Sequence, residues 1–196
     1  MERRYTPWRG ANYGTSRWPA VRLLLLGESH YADEDEDATI KWTKAYIAGG
    51  SGSFWTRTMQ VVTGLHHSEV DRSEFWNDIA FYNYVQQPVG DSPRVRPTFE
   101  MFEAAQGAFW ETLRELTPTH MLVLGAALWK NLPPEGQVGP DLKTEEGTRE
   151  TWVYPLGDHK VLTTWIYHPS SIRGSRMARS FPFVRELVKL RNEREA

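Results

Sequence analysis

Residues 21–26 most constrain what this chain can fold into, because the run is almost wholly aliphatic and stops at Gly27. A strand with one solvated face alternates apolar and polar residues. An unbroken apolar run instead predicts a strand covered on both faces, as in parallel sheets. Four side chains with polar groups follow Gly27 directly: Glu28, Ser29, His30 and Tyr31. The segment therefore predicts a central strand that ends in a loop suited to binding or chemistry.

Other short apolar runs, separated by stretches with helical spacing, predict the rest of the sheet. Strands are expected at residues 78–85, 120–124, 151–154 and 161–167, the last two as a possible hairpin. Helices are expected at 53–63 with Ser53 as cap, after the cap Thr98, from Ala126 onward, and at about 181–194 with Ser180 as cap. This alternation predicts an α/β fold: three α/β/α layers with a central, mainly parallel four-stranded sheet, in one domain spanning residues 1–196.

Composition narrows the class of protein. The chain of 196 residues has no cysteine, which excludes disulfides, thiolate metal sites and cysteine nucleophiles. No apolar run reaches the length of a membrane span, and the first residues lack the apolar stretch of a signal peptide. We therefore expect a cytoplasmic, monomeric protein with no membrane partner.

Charge is segregated along the chain although the formal net charge is only −2, which argues against a strongly basic nucleic-acid coat protein. Residues 33–37 are five consecutive acids, which we interpret as a solvated surface segment. Arginines cluster near the other end, at Arg173, Arg176, Arg179 and Arg185. Such segregation permits one basic working face on a neutral protein.

Ligands of open α/β sheets bind beyond the carboxyl ends of the strands. This rule selects GESHY after the first strand, YNYVQQP after the second, GAALW after the third and HPSS after the fourth. Polar side chains concentrate in three of these four segments. We therefore expect Glu28, Asn83 and His168 to converge on one site.

These segments, in this order and spacing, resemble the uracil-DNA glycosylase superfamily from about residue 21 to the C-terminal helix. GESHY is similar to the first motif of that superfamily, and HPSS is similar to its second motif, His-Pro-Ser-Pro and variants. YNYVQQPVGDSPRVRPTFEMFEAA is closest to the family-4-like branch. The resemblance implies an enzyme that hydrolyses the N-glycosidic bond of a flipped-out uracil or modified pyrimidine in DNA and leaves an abasic site.

The resemblance also implies a base pocket. Asn83 matches the asparagine that reads the Watson–Crick edge of the flipped base, and its amide offers both a donor and an acceptor. Phe54 matches a phenylalanine that stacks on the base, with the neighbouring Trp55 as the alternative. Tyr31 aligns with a tyrosine that excludes a thymine methyl group. Gly27 and Ser29 belong to the same substrate-binding loop.

Catalysis and DNA binding are assigned by the same resemblance. His168 matches the histidine that steadies the departing base anion, and Glu28 is expected to orient water or to stabilise the sugar cation. His30 is either a second general base, a contact to a polar substituent, or a nucleophile that captures the sugar. The residues expected on DNA are Ser170, Ser171, Ile172, Arg173 and Arg176.

The sequence departs from the superfamily pattern in three respects. Ser29 stands where the family-1 motif has aspartate, and His30 stands where proline or glycine is usual. The four cysteines that hold an iron-sulfur cluster in the family-4-like branch are missing, so we expect no cofactor and no metal. These differences motivate the hypothesis that the pocket accepts a base other than plain uracil.

Two other functions remain open from the sequence. One is a glycosylase-like module that binds DNA or a modified base without cutting it, because the usual aspartate is replaced by Ser29. The other is an esterase-like hydrolase, because GESH fits a Gly-Glu-x-His signature and residues 64–67 (GLHH) offer a further Gly-x-x-His. In the glycosylase reading, His66 and His67 have structural roles only.

Overall fold

The computed structural model describes residues 2–15, 20–31, 33–90, 95–171 and 175–190. In this part of the chain the strands are β1 (Trp8–Arg9), β2 (Leu23–Gly27), β3 (Ala80–Asn83), β4 (His120–Leu124), β5 (Gln137–Val138), β6 (Leu142–Thr144), β7 (Gly147–Arg149), β8 (Trp152–Leu156) and β9 (His159–Ile166). The α-helices are α1 (Ala38–Ile47), α2 (Ser53–Thr63), α3 (Arg72–Asp78), α4 (Phe99–Ala104), α5 (Gln106–Leu116), α6 (Ala126–Lys130) and α7 (Ser175–Lys189). Short 3₁₀ helices span His67–Glu69 and Pro169–Ser171.

The main sheet has seven strands in the order β1-β3-β2-β4-β9-β8-β5. Its four central strands, β3, β2, β4 and β9, are parallel to one another. The outer strands are antiparallel to their neighbours: β1 pairs with β3 at one edge, and β8 pairs with β9 and with the other edge strand, β5. The mixed α/β fold with a mainly parallel central sheet is therefore as predicted, and the predicted hairpin of β8 and β9 is present.

The predicted number of four strands is wrong, since three antiparallel strands extend the parallel core to seven. β1 and β5 have two residues each, too few for a recognisable apolar run. The hairpin strand β8 adds to the same sheet as β9. β6 and β7 form a separate two-stranded sheet.

The leucines of β2 explain the layering. Leu23 and Leu25 belong to one buried cluster, which contains residues of α1, α2, α3 and α7. Leu24 and Leu26 belong to a second cluster, with residues of α4, α5 and α6. Because successive side chains of a strand point to opposite faces, helices cover both faces of the sheet and all four leucines are fully buried.

Helix ends agree with the sequence in part. α2 ends at Gly64, which has a positive φ of 73°, but Ser53 is its first residue and gives no side-chain cap. Thr98 caps α4 as predicted, with Oγ1 accepting from the Met101 amide at 3.4 Å. α7 begins at Ser175, so Ser180 is not its cap. The helix therefore begins before the predicted start at about residue 181, and Pro182 lies inside it.

The register of the parallel strands brings their carboxyl ends together. Gly27 at the end of β2 pairs with Asn83 at the end of β3, and Leu124 at the end of β4 pairs with Ile166 at the end of β9. His168 follows β9 by two residues. In the described part of the chain, no helix has the length and apolar character needed to span a membrane.

Candidate active site

A cavity of about 340 Å³ opens at the carboxyl ends of β2, β3 and β9. Its size lies at the lower end of the range typical of small-molecule sites, ~300–1,000 Å³. The predicted residues that line it are residues 28–31, Phe54, Asn83, His168 and Ser170. The structure therefore brings together residues from four separate segments of the chain.

Gly27 makes room for Asn83 and does not itself line the cavity. A Cβ atom at Gly27 would overlap Oδ1 of Asn83 and would lie 3.1 Å from Cε2 of Phe81. Only glycine at position 27 leaves room for the Asn83 side-chain amide between the ends of β2 and β3. Gly27 was predicted to bind substrate, and its contribution here is to admit the Asn83 side chain.

His30 lies beneath the cavity and contacts Asn83. Its Nε2 atom is 3.1 Å from Nδ2 of Asn83 and 3.0 Å from Oγ1 of Thr39 in α1. The ring packs at 4.3 Å from the ring of Tyr5, between centroids, and only 8% of the residue is exposed. Burial lowers the pKa of His30 to about 4, so the ring is neutral at pH 7.

Backbone hydrogen bonds hold the GESH loop against the loop after β3. Tyr84 N–H donates to the Gly27 carbonyl at 2.9 Å, Val85 N–H to the Glu28 carbonyl at 2.9 Å, and Val89 N–H to the His30 carbonyl at 3.1 Å.

Buried Gln86 donates to the Asn83 carbonyl at 2.8 Å and accepts from the Tyr5 amide at 3.1 Å. The N-terminal segment and the YNYVQQ segment thus jointly hold the GESH loop and the end of β3 in place.

Glu28 forms an ion pair with Arg96. An Arg96 guanidinium nitrogen donates to Oε2 of Glu28 at 2.9 Å; the Glu28 side chain is 14% exposed and that of Arg96 59%. Burial raises the pKa of the Glu28 carboxyl, and the Arg96 charge partly offsets that effect. Glu28 is therefore a largely buried carboxyl group whose anionic form is favoured by one exposed arginine.

His168 has a defined tautomer. The Ser170 amide donates to Nδ1 of His168 at 3.2 Å, so in the neutral ring the proton resides on Nε2. Burial lowers the pKa of His168 to about 4, with a further contribution from the Arg96 charge. Arg57 of α2 donates to the Ser170 carbonyl at 3.1 Å and ties the HPSS loop to that helix. The imidazole is thus a neutral hydrogen-bond donor at pH 7.

Aromatic rings form one wall of the cavity. The Phe54 ring lies 5.6 Å from the His168 ring, between centroids, and 5.9 Å from Phe81. Trp55 also lines the cavity, but it packs edge-on against Trp76 at 4.9 Å and Phe81 at 5.2 Å. Both rings therefore line the cavity, and Phe54 is the one that packs beside His168.

The cavity lining also contains one residue of the acidic run, which the sequence assigned to the surface, together with Trp42 and the predicted Tyr31. Asp33, the first residue of the acidic run, lines the cavity with a side chain only 17% exposed. Trp42 also lines it and donates its indole N–H to Oδ2 of Asp33 at 2.6 Å. Tyr31 is 45% exposed and lies at the same part of the lining. The rest of the acidic run is exposed, as predicted.

The residues expected on DNA are described only in part. Ser170 is exposed and lines the cavity. Ser171 ends the 3₁₀ helix and Arg176 lies in α7, but their side chains lie outside the described part, as do Ile172 and Arg173 entirely. Arg179 and Arg185 of the basic cluster pair with Glu146 at 3.4 Å and Glu145 at 3.7 Å, in the turn between β6 and β7.

The GLHH segment does not contribute to the cavity lining. His66 and His67 are exposed, and the His66 side chain caps the 3₁₀ helix by accepting from the Ser68 amide at 3.4 Å. Across the described residues, no group of three or more histidine, aspartate or glutamate side chains is arranged to hold a metal ion.

Sequence reasoning missed Arg96, Thr39, Asp33 and Trp42 as site residues. Arg96 stands beside Pro97 in the segment used for the resemblance, and a carboxylate as buried as Glu28 requires a cation. Thr39 and Trp42 belong to α1, which no sequence signal placed at the carboxyl edge of the sheet. The sequence matches no protein-family model, and it matches no curated protein.

Proposed function

We propose that this protein is a DNA glycosylase that hydrolyses the N-glycosidic bond of a flipped-out uracil or modified pyrimidine and leaves an abasic site. The observation that carries the proposal is a single cavity with four complementary groups. These are a ring for stacking, an amide for the base edge, a neutral imidazole with its proton on Nε2, and a buried carboxylate: Phe54, Asn83, His168 and Glu28.

The cavity has the composition that a flipped base requires. Extrusion from the stack costs a few kcal/mol, which stacking and hydrogen bonds in the pocket offset. The Phe54 ring supplies stacking, and the Asn83 amide supplies hydrogen bonds to the base edge. His30 is held by Thr39 and Asn83 beneath the cavity, which supports a positioning role for it over a role as nucleophile.

His168 is suited to stabilise the leaving base. As the bond between C1′ and the base nitrogen breaks, its electron pair passes to the base and negative charge develops on the base oxygen. The Nε2–H group donates a hydrogen bond to that oxygen. Because the ring is neutral, it can stabilise the base anion by this hydrogen bond without transferring its proton. The low pKa of His168 keeps the ring in this form across the neutral range.

Glu28 is suited to the sugar side of the reaction. Its carboxylate stabilises positive charge at C1′ and orients a water molecule, whose oxygen forms the new bond to C1′. The water proton passes to the carboxylate and then to solvent, while the base anion takes a proton from solvent. Arg96 maintains the anion of Glu28 before the reaction.

The test is a panel of single- and double-stranded oligonucleotides, each carrying one altered base, assayed for abasic sites. Wild-type protein should release at least one base, and Glu28→Gln and His168→Ala should each lower kcat by about 10²–10³-fold. Glu34→Gln and His66→Ala are matched controls, since both residues are exposed and neither lines the cavity. Equal activity in all four variants would contradict the proposal.

One observation favours a second candidate, a module that binds a flipped base without cutting it. The Glu28 carboxylate is already engaged by Arg96, and Ser29 offers no second carboxylate in the loop. Retained binding of the oligonucleotide panel, with no abasic product from any base, would favour this candidate. The esterase-like alternative gains no support, because His66 and His67 lie outside the cavity lining.

A further inference from the structure

The cavity extends from the proposed base position to the acidic segment. Asn83 contacts His30, His30 contacts Thr39, and Trp42 lies one helical turn after Thr39 in α1. Trp42 in turn binds Asp33, and both line the same cavity as Phe54 and His168. We name the outer part, formed by Tyr31, Asp33 and Trp42, the side compartment.

The side compartment combines a fixed carboxylate with exposed aromatic rings. Oδ1 of Asp33 accepts from the Asp35 amide at 3.1 Å, and Oδ2 accepts from Trp42 Nε1 at 2.6 Å. These bonds hold the carboxylate in place and favour its ionised form, so the pKa of Asp33 lies below its usual value. Tyr31 and Trp42 are both about half exposed. A carboxylate beside aromatic faces is suited to an ammonium group.

An ammonium group already packs against these residues from the protein itself. Nζ of Lys41 lies 3.8 Å from Oδ2 of Asp33 and 5.6 Å from the centre of the Trp42 ring. Lys41 is also 3.6 Å from Oδ2 of Asp35, and its side chain is 54% exposed. Lys41 does not line the cavity, so it shows that an amine can contact this carboxylate and this indole together, and it leaves their cavity side open to a second amine.

The chemistry of a pyrimidine nucleotide selects where a substituent would be attached. N1 carries the sugar, C2, N3 and C4 form the pairing edge, and C6 lies beside the sugar. A substituent that preserves base pairing is therefore attached at C5. His30 contacts Asn83 and lines the same cavity as Asp33 and Trp42, so a C5 substituent of a base whose pairing edge is held by Asn83 would extend toward the side compartment.

We infer that the side compartment binds an aliphatic ammonium group attached at C5 of the flipped pyrimidine, in contact with the carboxylate of Asp33 and the face of the Trp42 ring. The inference names the substrate class of the proposed glycosylase and rests on that function only for the flipped base. Asp33 and Trp42 act as specificity-determining residues, and no chemical step is assigned to them.

The test measures binding and cleavage separately on the full chain. The probes are single-stranded oligonucleotides of one sequence, each with uracil, 5-methyluracil, 5-hydroxymethyluracil or 5-aminomethyluracil at one position. Affinity is measured by fluorescence anisotropy and cleavage by abasic-site formation. We expect 5-aminomethyluracil to bind about tenfold more tightly than 5-methyluracil, with the uncharged hydroxymethyl base between them.

Charge variants localise the effect. Asp33→Asn should abolish the tenfold ratio between the aminomethyl and methyl bases. Asp35→Asn should retain it, because Asp35 pairs with the same Lys41 but does not line the cavity. Trp42→Leu is a second variant at the side compartment and should also lower this affinity ratio. It keeps the inference testable if the Asp33→Asn protein folds poorly.

Equal affinity for all four bases, or a ratio that Asp33→Asn and Trp42→Leu leave unchanged, would overturn the inference. The two proposals fail in different ways in this experiment. A binding preference for the amine without any abasic product would leave the side compartment standing and would contradict glycosylase activity. Cleavage without any binding preference for the amine would support glycosylase activity and would contradict the proposed role of the side compartment.

Discussion

Nδ2 of Asn83 lies 3.1 Å from Nε2 of His30, and the same ring nitrogen lies 3.0 Å from Oγ1 of Thr39. A neutral imidazole nitrogen carries either a proton or a lone pair. If Nε2 is protonated, it donates to Thr39 and the Asn83 amide must turn its oxygen toward the ring. If Nε2 is unprotonated, it accepts from the Asn83 nitrogen. The His30 tautomer and the Asn83 orientation are therefore linked, and that orientation decides which base edge the pocket reads.

The first prediction concerns this coupling. His30→Phe keeps a ring against Tyr5 and removes both ring nitrogens, so the Asn83 amide loses its fixed orientation. We expect kcat/KM on the best base to fall about tenfold, with reduced discrimination between uracil and cytosine derivatives. In an Asn83→Ala background the same change should have little further effect, a coupling of about 1 kcal/mol or more in a double-mutant cycle. Strictly additive losses, or a covalent DNA adduct that depends on His30, would contradict a positioning role.

A second prediction tests the close approach of two strand ends. Gly27→Ala places a methyl group where Oδ1 of Asn83 lies, so the amide must move. We expect a folded protein destabilised by about 1–3 kcal/mol, measured by urea denaturation, and a loss of excision comparable to that of Asn83→Ala. Gly49→Ala is no suitable control because Gly49 has a φ of 104°. Ala45→Gly, at an exposed position of α1, perturbs the backbone without approaching Asn83.

Much of the site followed from a single rule about parallel sheets. Glu28 and His168 each come directly after a predicted strand, Asn83 lies at the end of β3, and all three line one cavity. Aliphatic runs are strong signals because burial on both faces leaves few polar alternatives. The central sheet was therefore recognisable, while the two-residue strands β1 and β5 carry too little sequence to be found.

The supporting residues were not predictable because their roles depend on tertiary contacts. Thr39 lies on a helix whose position at the site is set by packing, and its hydroxyl partner is nine residues away in sequence. Arg96 reaches Glu28 across 68 residues. Asp33 was assigned to solvent because a run of acids is usually a solvated face, yet the indole of Trp42 draws this one carboxylate inward.

A third prediction concerns the acid limb of the pH profile. The proposed mechanism requires Glu28 ionised and His168 neutral. Burial raises the pKa of Glu28 above its ordinary value of 4.5, whereas that of His168 is lowered to about 4. As pH falls, Glu28 is therefore protonated first and sets the acid limb of kcat/KM. Glu28→Gln should remove that limb along with most of the activity.

Arg96 provides a directional check that the acid limb belongs to the groups beside it. Its charge favours both the carboxylate of Glu28 and the neutral ring of His168, so Arg96→Gln should raise both pKa values and move the acid limb to higher pH. Arg114→Gln, an exposed arginine remote from Glu28, is the matched control and should leave the limb in place. A limb that shifts to lower pH in Arg96→Gln would show that another group controls it.

A fourth prediction concerns the tautomer of His168. Ser170→Pro removes the backbone N–H that donates to Nδ1, whereas Ser170→Ala retains it. In ¹⁵N spectra of the wild type and of Ser170→Ala, the ring proton should reside on Nε2. In Ser170→Pro the tautomer population should shift toward Nδ1–H and kcat should fall, by about tenfold or more. Indistinguishable spectra from the proline and alanine variants would show that the Ser170 amide does not set the tautomer of His168.

The last prediction links His30 to stability. Its pKa is about 4 in the folded protein and 6.5 in an unfolded chain, so the unfolded state binds the extra proton between these values. The stabilising contribution is complete above pH 6.5 and is lost as pH falls toward 4, by up to ~1.4 kcal/mol per pH unit. The free energy of unfolding of His30→Phe should therefore depend less steeply on pH in this window than that of the wild type. His66→Phe, which changes an exposed histidine, should keep the wild-type slope. Parallel curves for wild type and His30→Phe would mean that His30 is protonated in the folded protein as readily as in the unfolded chain.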